Sequence, residues 1–264
     1  MRITVLASGS AGNALVVEAA GTCVLVDCGL SLRMLHRRMV ATGLAPDSLD
    51  AVLLTHEHGD HVRGLETLIR RLRLPVLATA GTAAALAGVA IDGGLVSGRP
   101  VRIGGLTAIP VATSHDAAEP VGFVLDDGCS SVGVVTDTGV ATHLLLERLA
   151  GCQALLLECN HDPDMLRLGP YPWPLKQRIS SRTGHLSNTQ SRDAVEVLAH
   201  EGLEIVVGMH LSRENNVPGL VRQELARPLA GSGVRVAVAD QDEPLVVEVG
   251  KRPAVAAAGG SGAV

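Results

Sequence analysis

The sequence predicts an α/β protein, and three observations carry that expectation. β-like runs of four to six residues alternate with helix-like runs along the chain, Gly, Asp or Pro bound many of them, and 47% of the 264 residues are hydrophobic. That is enough apolar material for one large domain or two fused halves. Strands are expected at 2–6, 14–18, 22–27, 51–54, 75–78, 106–111, 121–125, 132–136, 154–158, 204–208 and 234–238. Helices are expected at 31–42, 61–73, 80–88, 139–150, 188–201 and 218–230, with Asn188 as the N-cap for Thr189 to His200. Strands and helices fall in both halves, as a duplicated architecture would require. Residues 1–250 are read as the domain, and 251–264, rich in Ala and Gly, as a flexible tail.

Composition narrows the functional classes. A net charge of −5 is not that of a protein coated in positive potential. Cys23, Cys28, Cys129, Cys152 and Cys159 are odd in number and form no C-x-x-C pair, which points away from a disulfide framework or thiolate zinc site and toward a cytoplasmic location. Met1-Arg2 runs straight into the strand-like Ile3-Thr4-Val5-Leu6, with no apolar signal region between. The most apolar long stretch, 76–91, is too short and too rich in Ala and Gly for a membrane span.

The chemistry is concentrated in Thr55-His56-Glu57-His58-Gly59-Asp60-His61, directly behind an apolar run. Neutral imidazole and carboxylate suit Zn, Mn or Fe, and a tight turn after a strand can aim alternate side chains at two ions roughly 3.5–4 Å apart. His56 and His58 can reach one ion, and Asp60 and His61, at a helix start, the other. Three further candidates follow strands: His115 after 106–111, Asp137 after 132–136, where a carboxylate can bridge two ions, and His210 after 204–208. Each alone reads as a turn or cap residue; together with the first cluster they read as one dinuclear site. Two divalent ions would add about four positive charges to one cleft, so the negative net charge leaves an anionic substrate open.

These residues resemble the metallo-β-lactamase fold superfamily, whose pattern is H-x-H-x-D-H followed by a distant His, Asp and His. The resemblance runs from Ser8-Gly9-Ser10-Ala11-Gly12-Asn13 through Leu25-Val26-Asp27-Cys28-Gly29 to His210-Leu211-Ser212. The segments 113–120, 158–162, 169–176 and 184–188 are similar to the YycJ/WalJ (VicX) branch. The resemblance implies an αββα four-layer sandwich and two divalent metal ions, Zn or Mn with Fe compatible, at one edge of the sheets. By position, His56, His58 and His115 would hold one ion, Asp60, His61 and His210 the other, and Asp137 would bridge them. His58 stands where flavodiiron oxidoreductases of this fold usually carry glutamate. Asp27 resembles the acidic residue that orients the ligand histidines. The branch implies a metal-dependent nuclease, most often a 5′-to-3′ DNA exonuclease.

Residues outside the ligand set decide the substrate. His185, in Gly184-His185-Leu186-Ser187-Asn188, is similar to a histidine of tRNA 3′-processing nucleases that is paired with a glutamate, and Glu158 occupies the matching place. With Asp60 these are the expected catalytic residues. A bridging water, its pKa lowered by both metals, would attack phosphorus in line, and His185, charged by Glu158, would protonate the leaving oxygen. Substrate contacts are expected from Ser8, Ser10 and Asn13 in the glycine-rich loop and from His161. They are also expected from Tyr171, Trp173 and Lys176 in Gly169-Pro170-Tyr171-Pro172-Trp173-Pro174-Leu175-Lys176, which could stack a terminal base and grip phosphates. The rival readings are an RNA-processing nuclease, a thioesterase or lactonase of the same fold, and a non-catalytic binding module. The chain has no room for a large inserted domain and shows no long exosite arm, which favours DNA over RNA.

Overall fold

A computed structural model describes residues 1–250; the tail expected at 251–264 lies outside the described residues. The chain begins with an antiparallel meander of β1 (Arg2–Ala7), β2 (Ala14–Ala19) and β3 (Thr22–Val26). α1 (Leu32–Ala41) then crosses to β4 (Ala51–Leu53), parallel to β3. α2 (Gly59–Val62) and α3 (Leu65–Leu72) lead to β5 (Val76–Thr79), and α4 (Ala80–Ala85) leads to β6 (Gly93–Leu95), both strands again parallel to their predecessors. The second half repeats this plan. β7 (Val101–Ile103), β8 (Leu106–Ala112), β9 (Val121–Asp126) and β10 (Ser131–Val135) form an antiparallel meander. α5 (His143–Leu149) then leads to β11 (Ala154–Glu158), parallel to β10. α6 (Pro163–Leu168), α7 (Trp173–Ile179) and α8 (Asn188–Leu198) precede β12 (Ile205–Met209). α9 (Pro218–Ala226) precedes β13 (Arg235–Val238). β14 (Leu245–Glu248) returns to pair antiparallel with β1.

The result is two seven-stranded sheets, ordered β14-β1-β2-β3-β4-β5-β6 and β13-β12-β11-β10-β9-β8-β7. Their inner faces meet in one core, where Ile3, Val5, Val24, Val26 and Leu53 pack with Phe123, Leu125, Val132, Val134, Leu156 and Val207. The alternate residues face outward onto helices. Leu6, Val16 and Leu25 pack against Leu35 and Met39 of α1 and Leu65 and Leu68 of α3. Val135, Leu155, Leu157 and Val206 pack against α5, α8 and α9. The central strands are apolar on both faces and read as continuous apolar runs because helices cover the side that water would otherwise wet. This is the αββα four-layer sandwich.

Several elements differ from expectation. The helix expected at 61–73 is broken at Arg63-Gly64 into α2 and α3, because the chain must pass tightly against the 27–30 loop. A β-carbon on Gly64 would collide with the Leu30 carbonyl, and one on Gly29 with the Asp60 carbonyl. The N-cap of α8 is Ser187, not Asn188: Ser187 and Gln190 form a reciprocal capping box that satisfies two N-terminal donors. α5 starts only after its Thr142 cap, so 139–142 is loop rather than helix. α6 and α7 form between β11 and α8, where no helix is expected, each with proline near its N-terminus, where the missing N–H costs nothing. Among the described residues no helix is long and apolar enough to cross a membrane.

Candidate metal centre

The site forms outside the carboxyl ends of the parallel strands, where side chains from many segments can meet over a rigid edge. After β4 the chain stays extended through His58 (φ −60°, ψ 146°) and then turns into α2, which carries Asp60 and His61. The close glycine contacts lock this turn. The Cys28 amide donates to the His61 carbonyl at 2.7 Å, the Gly64 amide to the Cys28 carbonyl at 2.8 Å, and the Asn13 amide to the Asp60 carbonyl at 2.7 Å. His115 follows β8, Asp137 follows β10 and His210 follows β12.

The structure gathers all seven of these side chains. Donor atoms of His56, His58 and His115 lie within 4.8 Å of one another, as do those of Asp60, His61 and His210, and those of His56, His61 and Asp137. The network assigns which ring nitrogens carry protons. Nδ1 of His61 donates to Asp27 Oδ2 at 2.7 Å. Nδ1 of His56 donates to the Thr55 hydroxyl at 3.0 Å, and that hydroxyl donates in turn to Asp27 Oδ2 at 2.8 Å. Nδ1 of His115 donates to the Gly184 carbonyl at 3.1 Å, and Nδ1 of His210 to Asn13 Oδ1 at 3.2 Å. Every one of these rings therefore turns Nε2 into the shared space.

Two orphaned atoms test the fit to a metal. His56 Nε2 and Asp137 Oδ2 are buried without a hydrogen-bond partner. Asp137 Oδ2 does lie 3.1 Å from His61 Nε2, but the two are not aligned as a hydrogen bond. A buried lone pair left unmade is costly, and a cation is the partner that neutral nitrogen and carboxylate oxygen accept together. Burial, with the neighbouring histidines, drives the His56 pKa down to about 2, so its Nε2 keeps a free lone pair. Burial opposes charge on His61 as well, but Asp27 and Asp137 outweigh it and raise that ring's pKa well above the usual value. A metal would take the place of a proton on Nε2, beside Asp137, while Nδ1 keeps its proton on Asp27. Burial works against the Asp137 carboxylate too, yet His210 and His61 hold its pKa well below the ordinary range. The donor set fits divalent metal.

Three of the non-glycine residues with left-handed backbone stand here: Asp27 (φ 61°), Asp137 (φ 56°) and His210 (φ 55°). Such conformations cost about 1–3 kcal/mol each and persist where surrounding contacts over-determine them. The contacts are visible. The His210 amide donates to Ser8 Oγ at 2.7 Å. Just after Asp137, the Thr138 amide donates to Glu158 Oε2 at 3.0 Å.

Glu158 is fully buried at the end of β11 and ties this edge together. Oε2 also accepts from the Leu186 amide at 3.0 Å, while Oε1 accepts from His185 Nδ1 at 2.7 Å. The His185 ring lies 5.4 Å from His210, nearly parallel to it, and 5.0 Å from His115. Burial lowers the affinity of His185 for a proton, but Glu158, Asp137 and Asp116 reverse this and raise its pKa to about 9. Donor atoms of Glu158 and His185 also lie within 4.8 Å of those of Asp137 and His210, so a charged imidazole stands inside the cluster of candidate ligands.

A profile described as "Beta-lactamase superfamily domain" matches residues 22–211. The chain is 34% identical over 248 residues to "Exodeoxyribonuclease WalJ" of Streptococcus pneumoniae, covering 90% of this chain and 91% of that protein. It is 34% identical over 243 residues to "Exodeoxyribonuclease YycJ" of Bacillus anthracis, covering 89% and 92%. The chain belongs to the β-lactamase superfamily, in its YycJ/WalJ branch. Its backbone also resembles the metallo-β-lactamase fold protein YhfI of Bacillus subtilis, with a TM-score of 0.74 at 18% identity over 92% of this chain and 98% of that one. The chain is thus a hydrolytic enzyme of a metal-binding fold.

Within this superfamily fold, the residues expected to meet substrate are placed unequally. Ser8 and Asn13 are buried and work on the donor set: Ser8 holds the His210 amide, while Asn13 Nδ2 lies 3.2 Å from Asp60 Oδ2 and Asn13 Oδ1 accepts from His210. Ser10 is exposed. Lys176 is half-buried, and its ammonium donates to the carbonyls of Arg167 at 2.8 Å and Gly169 at 2.7 Å. Trp173 is 65% exposed, Tyr171 is half-buried, and His161 is buried. Thr55 and the Asp116–Arg178 pair received no role from sequence. Asp116 Oδ1 lies 3.4 Å from His115 Nε2, and Arg178 Nε donates to Asp116 Oδ2 at 2.7 Å. The position of Thr55 directly before His56 was the available signal for the first; nothing local links Asp116 to Arg178, 62 residues away.

Proposed function

We propose that this hydrolase is a nuclease that uses two divalent metal ions to cleave the phosphodiester backbone of DNA, as a 5′-to-3′ exonuclease. The observation that carries the reading is the Glu158–His185 hydrogen bond of 2.7 Å, made within the donor cluster itself, beside Asp137, His115 and His210. A hydrolase of small esters has no need of a buried carboxylate committed to orienting a second acid beside the metals. Names of the relatives in the YycJ/WalJ branch support DNA as the polymer.

In this reading His56, His58 and His115 hold one ion, Asp60, His61 and His210 hold the other, and Asp137 serves both. Zn and Mn suit this set, and Fe is compatible. When bound, the pair supplies activation of water near neutral pH and neutralisation of charge on the phosphoryl group. The chain does the rest. Asp27, through Nδ1 of His61 and through Thr55, keeps two rings in the tautomer that offers Nε2. Asn13 steadies Asp60 and His210 from behind. His185, its Nδ1 engaged by Glu158, gives the Nε2 proton to the departing oxygen, and Glu158 balances the charge before transfer. The proposed hydrolase domain spans residues 1–250.

The test is incubation of metal-reconstituted protein with 5′- and 3′-end-labelled single- and double-stranded DNA and RNA. Mononucleotide release from DNA 5′ ends, abolished in Asp60→Ala, is the expected result. Preferential cleavage of RNA, or turnover of thioesters or lactones that survives His185→Ala, would replace this reading.

A further inference from the structure

The loop expected between β11 and α8 is folded into α6 and α7, and these two helices enclose a cavity of about 190 Å³. Its wall includes Leu166, Arg167, Trp173, Lys176 and Gln177, together with the buried His161. Clefts for drug-sized ligands run to about 300–1,000 Å³, so this one has room for a single ring system. The Lys176 ammonium, bonded to the Arg167 and Gly169 carbonyls, staples α7 to the end of α6, so the walls are already set.

Two independent features say what kind of group fits. Trp173 is the single tryptophan of the chain and is 65% exposed, in a protein whose core uses aliphatic side chains almost throughout. An indole held at a cavity mouth is a stacking surface for a flat ring. His161 is only 3% exposed, yet its Nδ1 is buried without a partner. His161 thus brings to the cavity lining an imidazole whose hydrogen-bonding capacity the protein has not used up, which suits a ligand with hydrogen-bonding edges. Burial pushes the His161 pKa down to about 4, Lys176 has its ammonium on carbonyls, and Arg167, which also lines the cavity, is paired with Asp164 at 3.0 Å, so the wall suits an uncharged ring better than a phosphate.

The position ties the cavity to the metal centre. The Asn160 amide donates to the Leu186 carbonyl, the Asn188 amide donates to the His161 carbonyl, and His161 pairs with Ser187. The cavity thus begins two residues from His185 across this bridge. We propose that the α6–α7 cavity binds the nucleobase of the terminal nucleotide, stacked on Trp173 and hydrogen-bonded by His161. This rests on the nuclease reading for its biological substrate but not for the binding itself.

The single tryptophan makes occupancy directly readable as fluorescence. Deoxynucleoside monophosphates are titrated into the full-length protein with and without metal, beside 2-deoxyribose 5-phosphate, which lacks a base. Saturable quenching by the nucleotides and none by the sugar phosphate is expected. His161→Leu should weaken the quenching midpoint, and oligonucleotides abasic at the terminal position should show KM raised roughly 5- to 100-fold over intact ones. Trp173→Leu should abolish that difference and Trp173→Phe retain it. Equal quenching by the sugar phosphate, or cleavage indifferent to the terminal base, overturns the base pocket and leaves the nuclease reading standing. Quenching by nucleotides in a protein that cleaves no polynucleotide supports the pocket and overturns the nuclease reading instead.

Discussion

Oδ2 of Asp27 lies 2.7 Å from Nδ1 of His61, and neither side chain has more than a few per cent of its surface exposed. The same oxygen accepts the Thr55 hydroxyl, and Oδ1 accepts the Thr55 amide at 2.9 Å, so one carboxylate sets two ring orientations and the start of the ligand turn. It does so from a left-handed backbone at the end of β3.

Asp27→Asn should therefore weaken metal binding while leaving the fold intact, because the amide can keep one contact but not the charge. Loss of such an outer partner costs about 10- to 100-fold in metal affinity. Competition with a chromogenic chelator measures this, and wild-type affinity in the variant would contradict the role. Conversely, metal at about 100 times its dissociation constant should stabilise the wild type by about 2.7 kcal/mol, read as a rise in melting temperature that chelation reverses.

Removing the proposed proton donor should separate chemistry from metal binding. His185→Ala should lower kcat by about 10²- to 10⁴-fold, with metal content by elemental analysis unchanged. Glu158→Gln should lose less at His185 than direct deletion of the ring, since its amide oxygen can still accept the Thr138 and Leu186 amides. Loss of both metals in His185→Ala would make it a ligand rather than an acid.

Beside His56 and His61 in the candidate ligand set, two further histidines shifted in opposite directions contribute to the pH dependence of stability in the metal-free protein. The His185 pKa is raised to about 9 from 6.5, so the folded state binds a proton that the unfolded chain lacks between those values. Its contribution is complete below pH 6.5 and lost as pH rises through about 9. The His161 pKa is lowered to about 4, so below 6.5 the unfolded chain takes up the proton first and stability falls toward pH 4. Urea midpoints across pH 4–9.5 measure both limbs. Glu158→Gln should make the alkaline limb shallower and His161→Leu the acidic one, with His61 and His56 supplying what remains; unchanged slopes would remove these assignments.

At the start of α8, Ser187→Ala should cost about 1 kcal/mol, because the Ser187 Oγ that accepts the Gln190 amide has no substitute. Asn188→Ala tests a different thing: its side chain pairs with Asn216 rather than capping the helix. A shift in urea midpoint for Ser187→Ala, with the slope unchanged, checks the cap.

The alternation of apolar runs made most central strands legible, since residues such as Leu155 to Leu157 are buried on both faces and little else explains them. β6, β7 and β14 escaped notice because they are edge strands of three or four residues, partly exposed and carrying Gly, Arg or Glu. β14 pairs with β1 from the far end of the described residues, which no local pattern encodes, whereas β7 pairs with β8 across the two-residue Gly104-Gly105 turn, a local signal of a hairpin. α6 and α7 escaped for a related reason: proline-rich turns announce a break, and only packing decided that short helices fill it.

By itself the sequence determined the class of fold and the chemical types available at each strand end, because side-chain period and metal-donor chemistry are local properties. Tertiary structure alone decided how those ends converge. It gave Asp27 and Asn13 their hold on the candidate ligands, turned Lys176 inward onto carbonyls, and set His161 and Trp173 around one cavity. These relations join groups far apart along the chain, and their distances are fixed by how two sheets and their helices exclude water together.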